Sequence, residues 1–334
     1  MKVLIPISPK EFLVKLAGTK HPSQLSISAW GWYPQAIGEL SRKKQDEYLR
    51  DQARMLTSIL SRAKELSPSE SKRKLHSDDV IKTVNVKKRL CLLEELLRAV
   101  DHPDMKIVDD LDSDKGFRLT GWLEPSGLFG KLVTPPQISR DTLEALSLCL
   151  NTAAINRCER NSSDDMSKVL LDITLDELKR NWIVREVDLG DLEKGTILSP
   201  RFIIQQGEKS RAIDDFTYSN INSTVGTSEK IILQGVDEIA SLIKQIFVSG
   251  IDDIVGRTYD MEAAYRQLPI HPDDRNKAVV CVYDPAKKGV RGFEMATMPF
   301  GAIASVHAFL RTAAAVNNIG CSLLDIPMID IVFR

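Results

Sequence analysis

Apolar residues in the first half of the chain recur at helical spacing. Over about residues 34–66, Ile37, Leu40, Tyr48, Leu49, Met55, Leu56 and Ile59 stand among Lys, Glu and Arg, and the pattern predicts one long amphipathic helix. The stretch SPSESKRKLHSDD interrupts it with Ser, Pro and charge. A second helix is predicted over about residues 79–100, on Val80, Val84, Leu90, Leu93 and Leu97. Further helices are expected over about residues 140–157 and, past the polar break ERNSSDD, over about residues 166–181. Residues 1–35 are a mixed segment in which Trp30, Trp32 and Tyr33 suggest a docking strand or loop. Residues 101–138 carry Pro103, Gly116, Gly121, Pro125, Gly127, Gly130 and the Pro135-Pro136 pair, which reads as loop and as a place for a domain boundary.

After Trp182 the pattern changes to short β-rich runs: RFIIQQ from 201, RAIDDF from 211, DIVGRTYDM from 253, KAVVCVYD from 277 and GFEMATM from 292. Two helical segments interrupt them, VDEIASLIKQIFVSG and GAIASVHAFLRTAAAVNN, and the polar hairpin DPAKKGVRG joins two of the strands. This order predicts an α+β domain behind a mostly α-helical region, with divisions at 1–135, 136–195 and 196–334.

Composition changes little in this picture. At 334 residues, 43% apolar and 27% charged, the chain can bury a substantial core and has the usage of an ordinary globular protein. The formal net charge of −1 removes any global positive field and leaves local basic patches as the only electrostatic route to nucleic acid. Lys72-Arg73-Lys74 and Lys87-Lys88-Arg89 are such patches, read either as phosphate contacts or as solvated faces. The five cysteines form no Cys-x-x-Cys pair and no zinc-type spacing with His, so buried free thiols are expected. No stretch reaches membrane-span length and the N-terminal residues lack a long apolar core, which predicts an intracellular protein, cytoplasmic or nuclear, with no membrane partner.

The candidate chemistry lies in three segments. YDMEAAYRQLPIHPDD (259–274) puts Asp260 after the apolar Ile254 and Val255, where a carboxylate at a strand end can offer hard oxygen ligands to Mg²⁺. RFIIQQGEKSRAIDDFTYSNIN (201–222) puts Lys209 and Arg211 near the top of two apolar strands, within reach of phosphate oxygens. FEMATMPFGAIASVHAFLR (293–311) is an apolar strand, Pro-Phe-Gly, and a helix rich in small residues. Each has a plainer reading: Asp260 as a helix cap with Tyr265 in the core, the basic pair on a solvated turn, and the last helix as a core helix.

In order and approximate spacing these segments resemble the first polymerase motif of the palm, the fingers hairpin and the following palm motif of reverse transcriptases, over about residues 200–325. The resemblance implies right-hand polymerase fingers and partial palm, and RNA-directed DNA polymerase activity on a primed RNA or DNA template with deoxynucleoside triphosphates and Mg²⁺, or Mn²⁺. It further implies that Asp260 is catalytic and binds metal together with Met261. Lys209 and Arg211 would hold the triphosphate, and Asp215 would orient the hairpin, with Asn220 or Asn222 near its end. The Tyr265 ring would exclude a 2′-hydroxyl, Phe300 would line the nucleotide pocket, and Gly301 would let the backbone approach the base pair. Phe300 stands where retroviral enzymes typically carry Gln and many retrotransposon enzymes carry Phe. The chain departs from the family at CSLLDIPMIDIVFR, where no aromatic-x-Asp-Asp motif follows and Asp330 has no adjacent acid. One carboxylate cannot hold two Mg²⁺ ions, so the isolated chain is expected to be inactive. The alternative expectation is a non-catalytic nucleic-acid-binding remnant of such a polymerase.

Overall fold

The computed structural model describes residues 8–18, 33–75, 78–112, 115–160, 164–207, 209–231, 235–251, 255–258 and 260–327. Trp30, Trp32, Ile254 and Asp330, on which expectations rested, lie outside them. In chain order the helices are α1 (Pro9–Ala17), α2 (Tyr33–Arg42), α3 (Gln45–Glu65), α4 (Ser67–Leu75), α5 (Asp79–Val84), α6 (Leu90–Ala99), α7 (Lys106–Leu111), α8 (Arg140–Ala145), α9 (Ser147–Arg160), α10 (Asp164–Lys179), α11 (Val236–Val248) and α12 (Ile303–Leu323). The strands are β1 (Trp122–Leu123), β2 (Gly130–Thr134), β3 (Ile183–Val187), β4 (Leu198–Gln206), β5 (Lys209–Asp214), β6 (Gly226–Lys230), β7 (Val279–Asp284) and β8 (Gly289–Met295). The protein is therefore mixed α and β, compatible with the expected α+β class. No helix among the described residues is long and apolar enough to cross a membrane.

Two compact units can be distinguished. One comprises residues 1–57, 233–258 and 317–334, and the other residues 58–232 and 259–316. In the first, Ala36 and Ile37 of α2 are buried, and α11 packs on α2. Leu324 and Asp325, just past the end of α12, are tied down by Tyr48, whose hydroxyl donates to the Asp325 carbonyl (2.9 Å), by Gln52 Nε2 on the Leu324 carbonyl (2.8 Å), and by Lys43, which ion-pairs with Asp325 (3.3 Å).

The second unit is built on a five-stranded sheet in the order β3-β8-β7-β4-β5. β7 is central, and its VVCVYD run is buried over Val279–Val282, as expected of a strand covered on both faces. β7 pairs antiparallel with β8 through the expected DPAKKG hairpin, where the Asp284 carboxylate accepts from the Ala286 and Lys287 N–H groups (2.9 and 3.1 Å). Ala154 and Cys158 of α9 bury against Leu198, Val279 and Cys281. β4 pairs parallel with β7 only over Leu198–Pro200. From Arg201 onward it pairs with β5, so the two strands leave the sheet as a projecting ribbon. A smaller sheet, β1-β6-β2, closes over Glu229 of β6, whose buried carboxylate accepts from the Ser126 and Gly127 N–H groups (2.9 and 2.6 Å).

Several expectations are corrected. The long helix over 34–66 is two helices separated at Lys43-Lys44, and that over 79–100 is likewise two, α5 and α6. Between α5 and α6, Asn85 turns its side-chain amide onto the Leu111 carbonyl. The stretch read as a breaker is α4: Pro68 falls in its first turn, where a missing N–H costs nothing, and Lys72, Arg73 and Lys74 fall in its last turn, which the helix dipole favours. Residues 101–138 hold α7, β1 and β2, not a bare loop. Residues 255–258 form no strand. Of the cysteines, Cys158, Cys281 and Cys321 are buried, whereas Cys149 is exposed.

Candidate functional site

The projecting ribbon carries the second segment. β4 and β5 are in register from Arg201 opposite Asp214 to Gln206 opposite Lys209, and the tip turns at Gly207 in the left-handed region (φ +60°). Arg211 opposes Ile204 on the ribbon, and its side chain is exposed. Lys209 opens β5 beside the tip; its backbone alone is described. Asp215 lies at the base of the ribbon, where it pairs with Arg157 of α9 (2.9 Å) and accepts from the Tyr218 N–H (3.0 Å). Arg157 also stacks over the Tyr218 ring at 4.2 Å. Asp215 therefore anchors the turn leaving the ribbon to α9.

The three sequence segments meet at the ribbon's base. The Asp214 N–H donates to the Phe300 carbonyl (3.0 Å), joining the end of β5 to the Pro-Phe-Gly turn. Asn222 spans the same junction, its amide N–H donating to the Gly301 carbonyl (3.0 Å) and its amide oxygen accepting from the Ile303 N–H at the start of α12 (2.9 Å). The third segment then meets the first: the Tyr265 ring lies 5.5 Å from that of Phe300 and 5.4 Å, edge to face, from that of Phe309. Burial pushes the Tyr265 hydroxyl above its ordinary pKa, so it stays protonated through neutral pH. Phe300 remains 39% exposed, leaving one side of the aromatic cluster open.

Gly301 packs directly against the end of β5. Its φ is +111°, and a Cβ there would sit 2.2 Å from the Asp214 carbonyl oxygen. The close approach it permits is to the protein's own β5.

Asp260 is exposed and lies in irregular backbone, not at a strand end. It caps no helix either, because the 3₁₀ turn that follows, Ala264–Gln267, has no side-chain cap and is entered through Ala263 in the left-handed region (φ +55°). The Met261 carbonyl accepts from the Ala264 N–H at 3.2 Å. Among the described residues no group of three or more His, Cys, Asp or Glu side chains is arranged to hold a metal ion. One exposed carboxylate with a neighbouring carbonyl does not fit a two-ion centre, which needs several carboxylate oxygens shared between ions.

Beneath the aromatic cluster lies a buried tetrad of charges that the sequence did not reveal. Arg201 Nε donates to Asp214 (2.6 Å), and Arg201 Nη1 donates to Glu177 of α10 (2.7 Å) and to the Thr174 hydroxyl (3.0 Å). Arg266, next to Tyr265, reaches the same two acids through Nη2, at 2.9 Å to Glu177 and 3.4 Å to Asp214. Burial alone would raise the Glu177 carboxyl, but the Arg201 and Arg266 guanidiniums outweigh it and hold the pKa below the usual range. The available signal was charge beside apolar residues: Arg201 precedes Phe-Ile-Ile, and Asp214 follows Ala-Ile.

Asp274, which follows His271-Pro272, is fully buried. It accepts from the Leu119 and Thr120 N–H groups (2.8 and 3.2 Å) and the Thr120 hydroxyl (3.0 Å), and pairs with Arg140 (2.9 Å). The basic clusters are largely engaged internally. Arg73 pairs with Glu94 and Asp112, Arg89 donates to the Ala63 carbonyl, and Lys88 donates to the Val84 carbonyl, with burial pulling its ammonium down to about 8. No family model matches the chain, and no curated protein sequence matches it.

Proposed function

We propose that residues 196–316 form the fingers and first part of the palm of an RNA-directed DNA polymerase of the retrotransposon type, and that they bind a deoxynucleoside triphosphate. The reading is carried by the convergence of three segments far apart in sequence, with Tyr265 against Phe300 and the Phe300 carbonyl bonded to the end of the basic ribbon. In this reading the open side of the aromatic cluster takes the sugar, and the Tyr265 ring leaves no room for a 2′-hydroxyl. Arg211 and Lys209 supply cations to the triphosphate, where charge-assisted hydrogen bonds are strongest. Asp260 would offer a carboxylate to a nucleotide-bound Mg²⁺, and no phosphoryl-transfer step is assigned, since the acids among the described residues do not make a two-ion centre.

Equilibrium dialysis with deoxyguanosine triphosphate and Mg²⁺ tests this. Saturable binding that weakens about tenfold in Arg211→Ala is expected, the loss of one charged hydrogen bond. Absence of saturable binding, or binding indifferent to both Arg211→Ala and Tyr265→Ala, would sink it. A second reading, a non-catalytic nucleic-acid-binding remnant, is favoured by the isolation of Asp260. Primer extension on an RNA template separates the two, because extension abolished by Asp260→Ala would exclude the remnant.

A further inference from the structure

We propose that Arg266 and Glu177 are positioning residues that set the Tyr265 ring against Phe300 and thereby the pocket's discrimination between deoxyribose and ribose; this rests on the nucleotide-binding reading above. The contacts form a closed circuit. Tyr265 is bonded through the chain to Arg266, Arg266 pairs with Asp214 and Glu177, the Asp214 N–H donates to the Phe300 carbonyl, and the Phe300 ring returns to that of Tyr265. Every link except the ring contact is covalent, ionic or hydrogen-bonded. The ring contact, the weakest link, is also the one that would face the sugar.

The backbone gives Tyr265 little support of its own. Its 3₁₀ turn is four residues long and rests on a left-handed alanine, and such turns have poorer hydrogen-bond geometry than an α-helix. What fixes the turn is that its two central side chains are held by different partners, Tyr265 by Phe300 and Phe309 and Arg266 by the tetrad. The two arginines are held unequally. Arg201 is gripped at Nε and Nη1 and touches Met295 sulfur through Nη2, whereas Arg266 is held through Nη2 and its buried Nη1 has no hydrogen-bond partner among the described residues. Arg201 is thus the fixed member of the tetrad and Arg266 the adjustable one. Both carboxylates are shared between the guanidiniums, so neutralising Glu177 weakens the hold on Arg266 at its shorter contact and leaves Asp214 engaged by Arg201.

The test compares dissociation constants for guanosine and deoxyguanosine triphosphates, with Mg²⁺, in the full chain and in Arg266→Lys, Glu177→Gln and Asp274→Asn. Asp274 is a buried carboxylate of the same unit that touches none of the four tetrad residues, so it reports general loosening. The expected result is a preference for the deoxy form in the unmodified chain, reduced about tenfold in Arg266→Lys and Glu177→Gln and unchanged in Asp274→Asn. An unchanged preference in the tetrad variants, or an equal drop in Asp274→Asn, overturns the positioning role while leaving the nucleotide-binding reading intact. Binding of neither nucleotide by the unmodified chain overturns both. A readout independent of nucleotide is the ¹⁹F resonance of 3-fluorotyrosine at position 265. It should shift in Arg266→Lys and Glu177→Gln, and an unmoved resonance in both counts against the proposal.

Discussion

At the scale of single residues, Gly301 and Asp214 show how tightly the candidate site is built. The backbone of one occupies the space that a side chain on the other would need, and the conformation at Gly301 is one that other residues rarely adopt. Gly301→Ala is therefore expected to destabilise the protein by about 2–4 kcal/mol in urea unfolding, from backbone strain and the forced separation of β5 from the Pro-Phe-Gly turn. A change under about 0.5 kcal/mol would mean that the contact yields easily. The identity of this glycine was legible in the sequence. The surface it meets was not, because nothing local to residue 301 announces a strand almost ninety positions earlier. Tyr265 and Phe300, whose rings meet, could be singled out from the sequence, while Phe309, Arg266 and Glu177 could not, since their contacts arise only once helices and strands are packed.

At the scale of elements, Asn222 joins the ribbon's exit to the start of α12, satisfying one N–H that the first helical turn leaves without a partner. Asn222→Ala should cost about 1–2 kcal/mol. Asn222→Asp, which keeps the acceptor for Ile303 but loses the donor to Gly301, should cost less, and thermal unfolding of the two variants checks the order. Strands β4 and β7 could be read from the sequence because apolar, β-branched residues mark them, and β5 and β8 because each lies just past a short polar turn. β1, β2 and β6 could not. GKLVT and GTSEK are five-residue runs without an alternating apolar pattern, and they become strands by pairing with each other from Gly130 opposite Lys230 to Thr134 opposite Thr227. The converse error was the run from 253, where Val255 suggested a strand but no partner strand is hydrogen-bonded to the described residues 255–258. β-branched residues favour a pleated surface and do not create one. In α4 the individual residues were read correctly and their positions were not, since Pro and Ser break helices in the interior but suit a first turn.

At the scale of the whole molecule, buried titratable groups predict how stability responds to acid. Burial lowers the pKa of His102, His271 and His307 from the ordinary 6.5, so each is favoured neutral in the folded state. As pH falls through 6.5 the unfolded chain takes up protons that the folded chain refuses, and stability declines until the folded histidines also protonate. Glu177 and Glu229 are held below the ordinary 4.5; their contribution is complete above that value and is lost as pH falls through their lower folded values. Melting temperatures should therefore drop in two stages, and His271→Gln, at a histidine in contact with neither glutamate, should reduce the first without touching the second. The topology also has a consequence in time. β4 can pair with β5 across a short turn as soon as both exist, but its place in the sheet depends on β7, some eighty residues further on, and β3 waits longer still for β8. As the chain is synthesised the ribbon precedes its sheet, with Phe202 and Ile204 uncovered. Sheet assembly then rests on the slow closure of long loops, and the interval before β7 arrives is when this protein is most exposed to pairing with the wrong strand.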